Sequence, residues 1–113
     1  MKSDLYDIIC LLRKFRDERG WNKFHDPKNL AISVSVEAAE LLEIFQWSDE
    51  LGPLDVRDVE RVADEAADVM IYTLMLFDKL GLDPITEVRK KIKINDDRFP
   101  PSKVYGKARM DQP

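Results

Sequence analysis

Cysteine is almost absent from the chain. Cys10 stands alone, which excludes an internal disulfide and a cysteine-rich zinc site. Long apolar runs are absent too. The stretch LYDIICLL near the N-terminus is broken by Asp7, too short and too charged for a secretory leader, and no segment approaches the ~20 apolar residues that span a bilayer. No membrane partner is expected, and a cytoplasmic location is the default. Positive charge is in deficit: 18 Lys and Arg stand against 22 Asp and Glu, for a net charge of -4. That balance argues against polymeric nucleic acid as a partner, since such binding needs a basic face, although a local basic pocket stays open. Alternating apolar and polar residues, the mark of a half-buried strand, are missing, and so are repeats and low-complexity segments.

What is present is helical. The 113 residues fit one domain, and a hydrophobic fraction of 44% can build a core. A first helix, capped by Ser3 or Asp4, runs to about Arg19, with Leu5, Ile8, Ile9, Leu12 and Phe15 on one face, and Gly20 stops it. WNKFHDPKNL reads as a loop with two aromatics. Asp26 caps a second helix that starts at Pro27 or Lys28 and runs to about Trp47. Its stripe is Leu30, Val34, Leu41 and Phe45, but Ile32, Val36, Ala39 and Leu42 lie on other faces, which places it centrally or at an oligomer interface. A third helix begins near Asp55 and continues to about Leu80, with a kink or separate turn allowed at residues 55–60. Asp83 and Pro84 open a fourth through IKIN. The expected architecture is all-α and four-helix-bundle-like, with residues 1–100 as the domain and 101–113 as a C-terminal tail.

Within these apolar helices sit four acids that a core would not choose. Glu37 and Glu40 are three apart, so they share a face, in line with Ser33 and Asn29 one and two turns earlier. Glu65 and Asp68 repeat the spacing on the third helix, with Tyr72 one turn further on. Ala38, Ala39, Ala66 and Ala67 flank the acids and would let two helices approach closely. Gathering four carboxylates in an interior costs several kcal/mol per ion without compensation, and like charges raise one another's pKa. Either the acids face water, or a cation sits among them. A solvated face is the usual explanation for one Glu-x-x-Glu pair; two pairs in apolar surroundings on consecutive long helices favour the cation. An all-oxygen set suits Mg²⁺, which keeps waters that substrate phosphates can replace. A di-iron or di-manganese centre would want Glu-x-x-His, and the one histidine, His25, is in a loop.

These residues resemble a family. Glu-x-x-Glu followed by Glu-x-x-Asp is similar to the all-α nucleoside triphosphate pyrophosphohydrolases of the MazG-like group. RDERGWNKFHDPKNLAISVSVEAAELLEIFQW, DEAADVMIYTL and KIKINDDRFP look, in order, like the blocks of its dCTP pyrophosphatase branch, over roughly residues 5–101. The resemblance implies Mg²⁺-dependent conversion of a dNTP, such as dCTP or a modified form of it, to the monophosphate and pyrophosphate, as nucleotide-pool cleansing. It implies Glu37, Glu40, Glu65 and Asp68 as metal ligands; a carboxylate not fully engaged by the metal, Glu40 or Glu37, can then serve as the catalytic base. Trp21 and Trp47 would line the base pocket, and Lys91 and Asn95 would serve the phosphate end. Arg98 is a weaker candidate for that end. His25 and Tyr72 have the chemistry to hydrogen-bond sugar, base or phosphate. A histidine that the branch carries nine residues before the loop tryptophan is Leu12 here, which bears on base preference. The resemblance also implies a homo-oligomer, dimer or tetramer. The competing reading is a non-enzymatic helical interaction module, its acids solvated and its tryptophans and tyrosine core residues or partner contacts.

Overall fold

The structure is a computed structural model and describes residues 4–46 and 54–108. Every regular element among them is helical: α1 (Asp4–Glu18), a 3-10 turn (Trp21–Phe24), α2 (Pro27–Glu43), α3 (Val56–Lys79), α4 (Pro84–Arg98) and a short α5 (Pro101–Val104). The all-α expectation is met. No helix among the described residues is long and apolar enough to cross a membrane. Ser3, one of two residues read as the first cap, lies outside the described residues.

Local chemistry sets the helix starts. The carboxylates of Asp26, Asp55 and Asp83 accept from the backbone N–H of Asn29, Asp58 and Thr86 at 2.7, 2.8 and 3.2 Å, satisfying one otherwise unpaired N–H at each helix start. Pro27 and Pro84 follow two of these caps, where a missing N–H costs nothing. Gly20 and Gly81 end α1 and α3 at φ of 64° and 69°, a conformation that other residues rarely adopt. α3 is one continuous helix, without a break at residues 55–60.

Two boundaries differ from the sequence reading. α2 ends at Glu43 rather than near Trp47, because the N–H groups of Phe45 and Gln46 turn to the carbonyls of Leu42 and Glu43 three residues back. Trp47 itself is outside the described residues. α4 runs on to Arg98, and Phe99, which precedes Pro100, leaves the helical region with φ -120° and ψ 67°. The stretch read as tail contains α5.

The chain forms two compact units, Met1–Gly81 and Leu82–Pro113. In the first, α2 and α3 make the main helix–helix contact, and α1 lies against α3. Ile9 of α1, Leu30 of α2, and Leu74 and Met75 of α3 are its buried apolar side chains among the described residues. Leu30 is 1% exposed, and Leu30→Ala should lower the unfolding free energy by about 2–5 kcal/mol in urea titrations. Ile32, Val36 and Leu42, on the other faces of α2, are exposed. Of the four alanines expected at close helix contacts, Ala66 is half-buried, and Ala38, Ala39 and Ala67 are exposed.

The second unit holds α4 and α5. Lys91 and Asn95 are one turn apart on α4, and the backbone carbonyl of Asn95 accepts from the Phe99 N–H at 2.8 Å.

Candidate active site

The α2–α3 contact brings the two acid pairs together. Glu37, Glu65 and Asp68 are half-buried, and each can offer one carboxylate oxygen to a set that lies within 4.8 Å of one another. Glu40 stands outside this trio and is exposed. It remains within hydrogen-bonding reach of both Glu37 and Glu65, and that contact dominates the perturbation of Glu37. The Glu40 carboxyl, loss of hydration and the repulsion of Asp68 and Glu65 push Glu37 up to about 7. Glu65 is raised as well, first by loss of hydration, then by Glu40 and the neighbouring acids. Glu37 Oε2 and Glu65 Oε2 are buried, with no hydrogen-bond donor against either. An oxygen withdrawn from water and left without a donor has the environment of a metal ligand rather than of a solvated surface acid. The donor set is all oxygen, which fits a hard divalent cation.

Beside the acids, α1, the 3-10 turn and α3 enclose a cavity of about 270 Å³. Leu12 and Phe15 come from α1, Trp21 and His25 from the turn and its end, and Ile71, Tyr72 and Met75 from α3. Asp68 lines it too, so one carboxylate belongs to both the acid cluster and the cavity wall. Phe15 and Trp21 meet edge to face, ring centres 5.8 Å apart at 74°. The Arg19 guanidinium lies 3.6 Å from the Phe15 ring centre and donates to the Phe15 carbonyl at 2.9 Å. That contact fixes the outer side of the aromatic wall through a cation–π interaction.

His25 is the polar group of this wall with an open position: its Nδ1 is buried and has no partner. Loss of hydration and the positive charges of Arg16 and Lys79 lower its pKa, which keeps the ring neutral near pH 7. A neutral imidazole beside the cavity can exchange one hydrogen bond with a ligand.

The structure therefore gathers Glu37, Glu40, Glu65 and Asp68, and places Trp21, His25 and Tyr72 on the adjoining cavity. Leu12 and Phe15, which periodicity places on the apolar face of the first helix, both line the cavity, and Leu12 does so at the position where the resembled branch has histidine. For Leu12 the sequence signal was that match to the branch's histidine; for Phe15 it was closeness to the aromatic loop.

The sequence profile of the MazG-like family matches residues 32–107, which include both acid pairs and α4. The chain belongs to the MazG-like family. It is 39% identical over 100 residues to dCTP pyrophosphatase 1 of Homo sapiens, covering 85% of this chain and 59% of the human protein. Against dCTP pyrophosphatase 1 of Bos taurus the identity is 37%, with the same coverage. The chain thus spans about three fifths of the length of these curated relatives. A pyrophosphatase from Archaeoglobus fulgidus of known crystal structure superposes with a TM-score of 0.75 at 41% identity, over 88% of this chain and 95% of that one. The MazG-like fold and the likeness to the dCTP pyrophosphatase branch, both expected from the acid and aromatic blocks, are met.

Proposed function

We propose that the protein is a Mg²⁺-dependent nucleoside triphosphate pyrophosphohydrolase of the cytoplasm. It converts a dNTP, with dCTP or a modified dCTP foremost, to the monophosphate and pyrophosphate. The observation that carries this reading is the sharing of Asp68: an aromatic cavity suited to a base and sugar opens onto a trio of carboxylates suited to a cation. The names of the relatives support it. Residues 1–100 would form the catalytic domain.

Glu37, Glu65 and Asp68 would hold the metal, with Glu40 completing the set. When bound, Mg²⁺ neutralises triphosphate charge and makes a water more acidic. Trp21 stacks on the base, and His25 and Tyr72 hydrogen-bond the nucleoside. Trp47, Lys91 and Asn95 are assigned to the base and phosphate ends on the family resemblance. A water attacks the α-phosphorus, the bond to the bridging oxygen of the β-phosphate breaks, and pyrophosphate leaves with the bond's electron pair. The proton of the attacking water passes to a carboxylate oxygen of Glu40, the acid outside the converging trio, or of its neighbour Glu37. Exposed Ile32, Val36 and Leu42 support a dimer or tetramer that covers them.

The direct test is a panel of nucleoside triphosphates with Mg²⁺, read by phosphorus NMR. Pyrophosphate and a monophosphate are expected. Orthophosphate alone would mean cleavage elsewhere in the triphosphate. No turnover, with no divalent-dependent thermal shift, would leave the acids solvated and favour the interaction module. Trp21→Ala should raise KM about 5- to 150-fold, the equivalent of one lost base stack, with a smaller change in kcat. Steady-state kinetics on a variant with unaltered circular dichroism checks it.

A further inference from the structure

We propose that the Arg13–Asp78 ion pair is a positioning device that sets the width of the aromatic cavity and hence the affinity for the nucleoside. This rests on the reading of that cavity as the nucleoside site. Arg13 Nε donates to both carboxylate oxygens of Asp78, at 3.1 and 3.0 Å, and its terminal nitrogen donates to Oδ1. Arg16 approaches Oδ2 at 3.8 Å, and the Asp78 and Arg16 side chains are 16% and 15% exposed. A lone surface pair contributes little, but a forked guanidinium on a largely covered carboxylate fixes geometry as well as charge. Arg13 accordingly holds the Asp78 carboxyl below the usual carboxylate range.

The position of the pair gives it its task. Arg13 follows Leu12 directly and lies two residues before Phe15, the two side chains that α1 sends to the cavity. Asp78 is three residues beyond Met75, a residue that α3 contributes to the cavity. The apolar seam between these helices is thin, for Ile9 is the one buried side chain of α1. Lys79, next to Asp78, donates to Asn22 Oδ1 at 3.3 Å and so ties the turn that carries Trp21 to the same end of α3. Both of these walls are therefore held to α3 by polar ties at adjacent positions. Arg13 and Asp78 do not line the cavity, so any effect on a ligand passes through Leu12, Phe15 and Trp21.

Quenching is read on the full chain in a Trp47→Phe background, where Trp21 is the sole tryptophan reporter, and kinetics are read on the full chain with Trp47 intact. Asp78→Asn keeps the shape but removes the carboxylate that pairs with Arg13, while Arg16 keeps Asp17 at 2.8 Å. It should make Trp21 measurably more accessible to acrylamide quenching. KM should rise roughly tenfold, inside the 10²-fold that a small misplacement can cost, with kcat changed less than about twofold. Asp78→Glu, which keeps the charge, should recover most of both, and Arg13→Lys, which keeps charge but loses the fork, should fall between. A lower melting temperature with unchanged quenching and unchanged KM across these variants would make the pair a fold tether and overturn the proposal. If the wild type neither binds nor turns over a nucleotide, the functional reading fails; unchanged quenching still rejects the positioning role on its own.

Discussion

Glu37→Gln should abolish most pyrophosphate release while making the metal-free protein more stable above pH 7. Both signs follow from one geometry. Glu37 Oε2 is buried without a donor, and the carboxyl faces Glu40, Asp68 and Glu65. In the absence of a cation those charges repel, so an amide of the same shape removes repulsion and can donate to a neighbouring carboxylate. In catalysis the same amide removes one negative ligand from an all-oxygen set. The loss in kcat should be about 10²–10³-fold, the scale seen when one electrostatic contact to developing charge is deleted. Asp68→Asn should behave alike and should also raise KM, because Asp68 lines the cavity. Thermal melts with EDTA and single-turnover assays with Mg²⁺ measure the two sides separately. Loss of activity together with loss of metal-free stability would instead make these acids part of the fold's own hydrogen bonding, and the metal-site reading would fail.

The metal-free protein should lose stability as pH rises from about 4.5 through 7, and Mg²⁺ should reverse that trend. The Glu37 carboxyl is raised from 4.5 to about 7 in the folded chain, and Glu65 moves in the same direction. Between those values the folded state holds protons that the unfolded chain has released. The stabilisation is therefore fully present below about 4.5 and is lost as pH rises through 7. Asp78 has the opposite sign: its pKa is lowered from 3.8, so its pair with Arg13 supports the fold above that value and fails on acidification below it. A cation must displace the proton that Glu37 holds, so apparent Mg²⁺ affinity should weaken below pH 7, by about tenfold per unit for that proton. At pH 8 Mg²⁺ at 100 times its dissociation constant should stabilise the fold by about 2.7 kcal/mol. Melting temperatures from pH 4 to 9, with EDTA or with Mg²⁺, give crossing curves if this holds. Parallel curves would show that no divalent ion binds to the carboxylates.

The elements that the sequence determined are those governed by neighbours in the chain. Asp26, Asp55 and Asp83 cap their helices because a carboxylate reaches a backbone N–H three residues on, and no distant group takes part. Glu37 with Glu40, and Glu65 with Asp68, share faces by the helical repeat alone. Even the improbability of these acids in apolar helices was legible, because their cost depends on charge and not on detail. Tertiary structure decided which oxygens converge. It admitted Glu37, Glu65 and Asp68 to one set and left Glu40 at its rim, a distinction set by the position of α3 against α2 and invisible in two equal spacings. It likewise made Leu12 and Phe15 of the apolar face of α1 part of the cavity wall, and joined Arg13 to Asp78 across 65 residues. A helical repeat fixes the direction of a side chain around its own axis, but its partner is fixed only when another helix arrives, and that depends on the sum of contacts along both.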